Sequence, residues 1–298
     1  MAGVAILWGT IGLLVRQVDL PATAIAGVRV WLGAAVLGAW LARRRRPAAR
    51  SAAALLSARP VAVLTLGVLL AVHWVALVAA LQRAPIGVVL LVTYLAPVGV
   101  AALAPRALGE RVPPRSLAAL ALAVVGVALV ATPSLGTPDA PGLALAALAG
   151  ITLIAMTLLS KPLAENFGGA NLAACQLAVA GVVLIPVAAT AGWGAPAPSW
   201  AWLVVLGVVH TGFAMGAYLG ALAVLPVTTA GVLLYLEPVS AVLVGWLLLA
   251  ETPTPATLVG GTLIVVAGAL VLAPSGGAGP PGLGRRRRIQ AGVTGVPG

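Results

Sequence analysis

The sequence predicts an all-α integral membrane protein of ten transmembrane helices, arranged as two inverted five-helix repeats. Two observations carry this prediction: a composition too apolar for a water-facing surface, and an internal repeat whose charges differ between the copies. Hydrophobic residues make up 61% of the 298 residues and charged residues only 8%, whereas a soluble domain carries about 25% charged residues. A lipid bilayer tolerates such a composition, because lipid tails are as apolar as the side chains that face them.

The apolar segments have the length of membrane spans, since a transmembrane helix needs about 20 mainly apolar residues. The first segment is short, because an α-helix from Ala2 to Val15 rises only about 21 Å. We therefore expect that this helix is truncated or that the start codon is set too late. The ten predicted spans are residues 2–16, 21–42, 60–81, 85–105, 115–132, 142–160, 170–191, 200–223, 226–250 and 254–273.

An internal repeat relates residues 85–133 to residues 226–274 without a gap. Shared composition explains matched Leu and Val, but it does not explain matched Pro, Tyr and Glu. The informative identities are Pro85/Pro226, Tyr94/Tyr235, Pro97/Pro238, Glu110/Glu251, Pro114/Pro255 and Pro133/Pro274. The chain therefore divides into a first repeat, 1–133, a second repeat, 142–274, and a basic Gly- and Pro-rich tail, 275–298, that we expect to be disordered and cytoplasmic.

The charges indicate that the second repeat is inverted, as an odd number of spans per repeat requires. With the N-terminus inside, fourteen of the 17 Lys and Arg residues fall in inner segments and two in outer segments. Cytoplasmic loops are enriched in Lys and Arg, so we expect both termini in the cytoplasm. Three arginines of the first copy lose their charge in the second: Arg106, Arg111 and Arg115 correspond to Leu247, Thr252 and Ala256.

The net charge of +11 is a topology signal rather than a sign of nucleic-acid binding, because the basic residues lie in short loops and the tail. A single cysteine, Cys175, forms neither an intramolecular disulfide nor a metal site. The sequence contains no H-E-x-x-H, G-x-S-x-G or P-loop motif. We therefore expect no cofactor, no metal and no enzymatic activity.

The chain resembles the EamA family of the drug/metabolite transporter superfamily over residues 1 to about 274. The residues that carry the resemblance are Trp8-Gly9, Arg29, Tyr94-Leu95-Ala96-Pro97 with Leu108-Gly109-Glu110, and Tyr235-Leu236-Glu237-Pro238 with Leu249-Ala250-Glu251. The resemblance implies two EamA repeats, cytoplasmic termini and the export or exchange of small metabolites such as amino acids in the cell membrane. One departure is that Ala149-Gly150 stands in the sixth span where the first has Trp8-Gly9.

Two isolated charges inside predicted spans are candidates for the transport pathway. Glu237 is the only acidic residue in a predicted span, and its repeat partner is the uncharged Ala96. A charge at the bilayer centre costs at least about 2.5–3.5 kcal/mol, so we expect Glu237 to bind a cation or carry a proton; a neutral, hydrogen-bonded Glu is the alternative. Arg29 is the only basic residue in a span, and it either binds a substrate carboxylate, pairs with Glu237, or snorkels to the interface.

Polar and aromatic residues of other spans are further candidates. His73, beside Trp74, and His210 occupy the equivalent third and eighth spans, where each either relays a proton or is simply hydrogen-bonded. Gln176 is the approximate repeat partner of Arg29. The aromatic residues expected to line a pathway, or alternatively to pack or face lipid, are Trp8, Tyr94, Tyr218 and Tyr235.

Pro97 and Pro238 lie mid-span in equivalent helices, where a proline removes a backbone hydrogen bond and breaks or kinks the helix. Inverted-repeat transporters commonly bind substrate near the bilayer midplane beside such breaks, although a packed kink without a ligand is the alternative. In the fifth and tenth spans, Gly126 and Gly260 predict close helix packing.

These features together predict a secondary transporter that moves a small solute by alternating access, coupled to a proton or a counter-solute. An intramembrane enzyme acting on lipid-linked substrates is one alternative, and it needs polar residues clustered at one membrane face. A non-transporting membrane scaffold is the other, and it has no need for Arg29 or Glu237 inside the bilayer.

Overall fold

The computed structural model describes residues 1–44, 51–132, 139–189, 194, 196–249 and 252–273. All regular secondary structure in these ranges is helical. The predictions made for Glu251, Pro133 and the tail, 275–298, lie outside the described residues.

Nine helical segments of the described chain are long and apolar enough to cross a membrane, and a shorter apolar segment, Ala2–Val15, precedes them. We number these segments as the first to tenth spans. The helices are Ala2–Trp8 and Ile11–Arg16, Ala22–Ala42, Ala52–Ala58, Pro60–Arg83, Ile86–Thr93 and Ala96–Ala107, Pro114–Ala131, Ala140–Phe167, Gly169–Ala189, Ala197–Val205 with the π-helix Leu206–Phe213 and Ala214–Leu222, Val227–Leu234 and Leu236–Leu249, and Pro255–Leu272.

Proline and capping residues set where several spans begin. Pro60, Pro114 and Pro255 stand in the first turn of their helices, where the missing N–H of proline has no intrahelical partner to lose. The side chains of Asp139 and Thr254 accept backbone N–H groups at the starts of the sixth and tenth spans, which satisfies donors that a helix leaves free.

The fourth and ninth spans are interrupted at equivalent positions. One helix ends at Thr93 and the next begins at Ala96, and in the second repeat the interruption falls at Tyr235. The sequence predicts the breaks at Pro97 and Pro238, but each proline lies in the first turn after its break. Proline fits that turn because the N–H it lacks is free there in any helix.

The fifth and tenth spans cross with their backbones in close contact, as the small residues predict. A Cβ atom placed on Gly260 would lie 2.5 Å from the carbonyl oxygen of Gly126, and one placed on Gly126 would lie 2.7 Å from that of Gly260. Helices approach this closely only where both lack a side chain. This crossing joins the two repeats through the last helix of each.

The sixth span is longer than the sequence predicts, and this changes the placement of two charges. The prediction ends it at residue 160, whereas the helix runs from Ala140 to Phe167. Lys161, predicted in an inner loop, therefore lies inside the helix and is 6% exposed, and Glu165 follows one turn later. Arg29 and Glu237 are thus not the only charged residues within spans. The short helix Ala52–Ala58 was also not predicted.

Gly260→Ala is expected to lower the free energy of unfolding by about 1–3 kcal/mol, because the added methyl group meets backbone atoms that cannot move aside. Gly261→Ala is the matched control, since a Cβ there meets no described atom within 4 Å and alanine favours a helix. Thermal unfolding in detergent measures both variants. Equal melting temperatures for the two would contradict the role of the crossing.

Candidate functional site

Arg29 of the second span is buried among helices of both repeats, with 1% of its surface exposed. Its Nε atom donates a hydrogen bond to Thr211 Oγ1 of the eighth span, 3.3 Å away. Its guanidinium group lies over the ring of Trp74 in the third span, 4.0 Å from the ring centroid, a favourable cation–π position. The burial rules out snorkelling, since the charged group points into the protein.

The two terminal nitrogens of Arg29 have no hydrogen-bond partner among the described residues, and neither has Nε1 of Trp74. No described carboxylate lies within ion-pairing distance, so the suggested pair with Glu237 is wrong: the described salt bridges belong to Lys161. His73 and His210 directly precede Trp74 and Thr211 in the chain, and the rings of His73 and Trp74 lie 5.5 Å apart. We call Arg29, His73, Trp74, His210 and Thr211 the arginine cluster.

A π-helix in the eighth span places two members of this cluster. Within the π-helix Leu206–Phe213 the backbone N–H groups bond to carbonyls five residues earlier, one residue further back than in an α-helix. Thr211 Oγ1 donates a hydrogen bond to the carbonyl of Leu206, 2.8 Å away. Gly33 of the second span packs directly against Thr211, which brings Arg29 within reach of it. Single π-helical turns are frequent at functional sites, and sequence reasoning missed this one.

Both histidines of the cluster bond to neighbouring spans. His73 Nδ1 lies 3.0 Å from the carbonyl oxygen of Ala149 and 3.2 Å from Thr152 Oγ1, both in the sixth span. His210 Nε2 lies 2.7 Å from Thr10 Oγ1 of the first span. Each histidine thus joins its own repeat to the other one.

The first span connects the arginine cluster to the second candidate charge. Trp8 Nε1 donates to the backbone carbonyl of His210 at 2.9 Å, and the Trp8 ring lies 5.3 Å from that of Tyr218. The next residue, Gly9, packs so closely against Ser240 and the carbonyl of Glu237 that a Cβ atom would clash. The Trp8-Gly9 pair therefore lies between the ninth span and the π-helix.

Tyr94, Tyr235 and Glu237 form a separate group, which we call the tyrosine cluster. Tyr235 Oη donates to the backbone carbonyl of Tyr94 at 2.6 Å, and the two rings lie 5.5 Å apart. The buried hydroxyl of Tyr94 lies beside the carboxyl group of Glu237. Glu237 thus faces the other repeat.

The remaining predicted site residues lie near these clusters but do not complete one cavity. Pro97 and Tyr218 line a small cavity between the repeats that has space for about one water molecule. Pro238 is buried at the start of its helix. Gln176 Nε2 donates to Ser160 Oγ at 3.0 Å, and its buried oxygen has no described partner.

Lys161 organises a polar network at the end of the bundle predicted to be cytoplasmic. Its Nζ atom donates to the carbonyls of Leu222 and Leu225, 2.9 and 2.8 Å away, at the end of the eighth span. It also pairs with Glu165 at 2.8 Å and Glu110 at 3.8 Å. The sequence offered one signal for this residue, which is the only lysine of the chain.

Glu110 extends this network into the second repeat. Its Oε2 atom accepts the backbone N–H of Val227 at 2.9 Å, where the first turn of the ninth span favours a negative charge. The network therefore closes one end of the interface between the repeats.

Comparison with known proteins agrees with this architecture. The EamA-like transporter family matches residues 1–132 and 140–273, which cover both repeats. The chain belongs to the EamA-like transporter family. The predicted membership and the predicted fold of two inverted EamA repeats are confirmed.

Among solved structures, a similar fold occurs in one described only as a crystal structure of a protein. It superposes with a TM-score of 0.72 at 23% sequence identity, over 91% of this chain and 95% of that chain. No curated protein matches this EamA chain. Family membership makes the chain a multi-pass membrane protein of a transporter family.

Lys161→Met is expected to lower the free energy of unfolding of this EamA protein by about 2–4 kcal/mol, because it leaves two carbonyls and the carboxylate of Glu110 without their cation. Glu165→Gln is the matched control, since that side chain is 46% exposed and exposed ion pairs contribute at most about 1 kcal/mol. Chemical unfolding in detergent compares them. An equal loss for both variants would contradict a role for the buried network.

Proposed function

We propose that this EamA protein is a secondary transporter that exports or exchanges small metabolites such as amino acids across the cell membrane, with both termini in the cytoplasm. Transport would proceed by alternating access between the two repeats. Polar contacts between repeats support this mechanism, because they concentrate along one interface: the arginine cluster, the tyrosine cluster and the Lys161 network each contain residues of both halves.

The observation that carries the proposal is the buried guanidinium group of Arg29, whose two terminal nitrogens lack a hydrogen-bond partner among the described residues. Burying a cation in the membrane is costly, and the ring of Trp74 and one hydroxyl compensate it only in part. Two terminal nitrogens remain free of described partners, in the geometry that binds a carboxylate bidentately. A substrate carboxylate would supply the missing negative charge, and an α-amino acid carries one.

Glu237 would couple this transport to a proton or to a counter-solute. Its carboxyl group faces Tyr94 of the fourth span, and the first span packs against its backbone. Tyr94 and Tyr235 are the titratable groups beside it. A carboxyl group at the interface of the repeats can be charged when exposed to one side and neutral during the transition.

The alternatives account less well for these contacts. An intramembrane enzyme needs reactive groups that converge on a substrate, whereas His73 and His210 each bond to a neighbouring span. A scaffold has no use for a buried arginine with two free nitrogens, since apolar packing costs less.

Replacing Arg29 with Gln is expected to weaken the binding of carboxylate substrates about tenfold to hundredfold, because a hydrogen-bonded charge contributes about 1.5–3 kcal/mol. Uptake of a panel of labelled amino acids and other metabolites into proteoliposomes measures the apparent affinity. Arg83→Gln, which removes an exposed positive charge, is the control. Amine analogues that lack the carboxylate should not distinguish Arg29→Gln from the wild type, and a loss shared by acids and amines would contradict carboxylate recognition.

Glu237→Gln is expected to abolish the dependence of flux on a pH gradient, because Gln cannot exchange a proton. Exchange of labelled for unlabelled substrate at equal pH should persist, since it requires no net proton movement. Both fluxes are measured in the same proteoliposomes, with Glu165→Gln as the control carboxyl group. If gradient-driven flux and its pH dependence are unchanged in Glu237→Gln, Glu237 is not the proton carrier.

A further inference from the structure

Tyr94 and Tyr235 are repeat equivalents that contact each other. Their separation of 141 residues is the offset that relates the fourth span to the ninth. Under a two-fold relation between two halves, a residue can touch its own equivalent only near the symmetry axis. The tyrosine pair therefore marks the axis about which the repeats are inverted, and it lies where both spans are interrupted.

The pair is bonded in one direction only. Tyr235 Oη donates to the carbonyl oxygen of Tyr94, whereas the Tyr94 hydroxyl makes no equivalent bond to the carbonyl oxygen of Tyr235 and lies beside the carboxyl group of Glu237 instead. With perfect symmetry, both bonds or neither would form. The two repeats thus differ at their axis, where Glu237 of the second repeat corresponds to the uncharged Ala96 of the first.

In an inverted-repeat transporter, exchanging the conformations of the two repeats converts a state closed at one end into the state closed at the other end. We propose that Tyr94 and Tyr235 are positioning residues that exchange this hydrogen bond during transport: Tyr235 Oη donates in the present state, and Tyr94 Oη donates to the Tyr235 carbonyl in the opposite state. This inference rests on the proposed alternating access and assigns the step to one pair of hydroxyl groups.

The present state is closed at the end that carries the Lys161 network. Glu110 holds the N–H of Val227 there, and Ala230, one turn further along the ninth span, is 2% exposed. The equivalent residue near the other end, Val89 of the fourth span, is equally buried, at 0% exposure. The opposite state would open the end at Ala230, so a cysteine at this position reports the balance between the two states.

The experiment compares Tyr235→Phe with Tyr94→Phe, which remove one hydroxyl each and keep the ring. Both are made with Ala230→Cys in a Cys175→Ala background, and the rate of maleimide labelling is measured on the purified full-length protein. Tyr235→Phe should raise the rate about two- to tenfold, the effect of one buried hydrogen bond on a two-state balance. Tyr94→Phe should lower it, and the double variant should return it towards the wild-type rate.

One further arm makes the result specific. The comparison is repeated with Glu237→Ala, which removes the carboxyl group within reach of Tyr94, and the opposite signs should persist. Labelling that changes in the same direction for both phenylalanine variants, or that does not change, would overturn the exchange.

This experiment measures conformation and not flux, so its outcome is separate from that of the proposed function. If the two phenylalanine variants change the labelling rate in opposite directions but no tested solute is transported, the hydrogen-bond exchange is supported and the proposed substrates are not. Transport by the wild type without opposite signs would reject the exchange alone.

Discussion

The burial of a positive charge at Arg29 is the constraint on which much of the structure depends. A guanidinium group in a bilayer must find compensation inside the protein, and two other spans supply it here: Trp74 presents the face of its ring and Thr211 presents a hydroxyl. Gly33, on the same span as Arg29, allows the eighth span to come close, and the terminal nitrogens of Arg29 are left without described partners. The helices are therefore arranged around an incomplete coordination of the charge.

The contacts between the repeats form three levels along one interface. The arginine cluster and the tyrosine cluster lie on either side of Trp8-Gly9 of the first span, and the Lys161 network closes one end. The Gly126–Gly260 crossing joins the repeats elsewhere through close contact of the backbones and apolar side chains such as Ile264. Polar contacts can be exchanged for others, whereas closely packed backbones have little room to rearrange, so this crossing suits a fixed support.

Much of this architecture follows from the sequence. Apolar length located the spans, the matched Pro97 and Pro238 revealed the repeat, and the loss of three arginines in the second copy indicated its inversion. These signals are strong because the bilayer imposes them directly through length, backbone satisfaction and charge. The arrangement of side chains within the interface obeys no such simple rule, because it depends on rotations and heights of helices that hydropathy does not encode.

The errors have the same origin. Lys161 stood at the end of an apolar run and was assigned to a loop, since nothing in the sequence shows that the eighth span offers carbonyls to a cation at that height. The charged, histidine and tyrosine candidates for the transport pathway fall into two clusters, because Gly9 brings the first span between them. The sequence did contain a signal for the contact between Tyr94 and Tyr235, since the repeat makes these two residues equivalent.

The π-helix of the eighth span has a consequence for how this chain can vary. Leu206–Phe213 accommodates a wider turn than an α-helix of the same height, so His210 and Thr211 point where they do because of chain length as well as residue type. Deleting a single residue there would remove the wide turn, restore regular α-helical winding and change the directions of His210 and Thr211. Insertions and deletions in this segment are therefore constrained more severely than substitutions, although no residue of it need be chemically unusual.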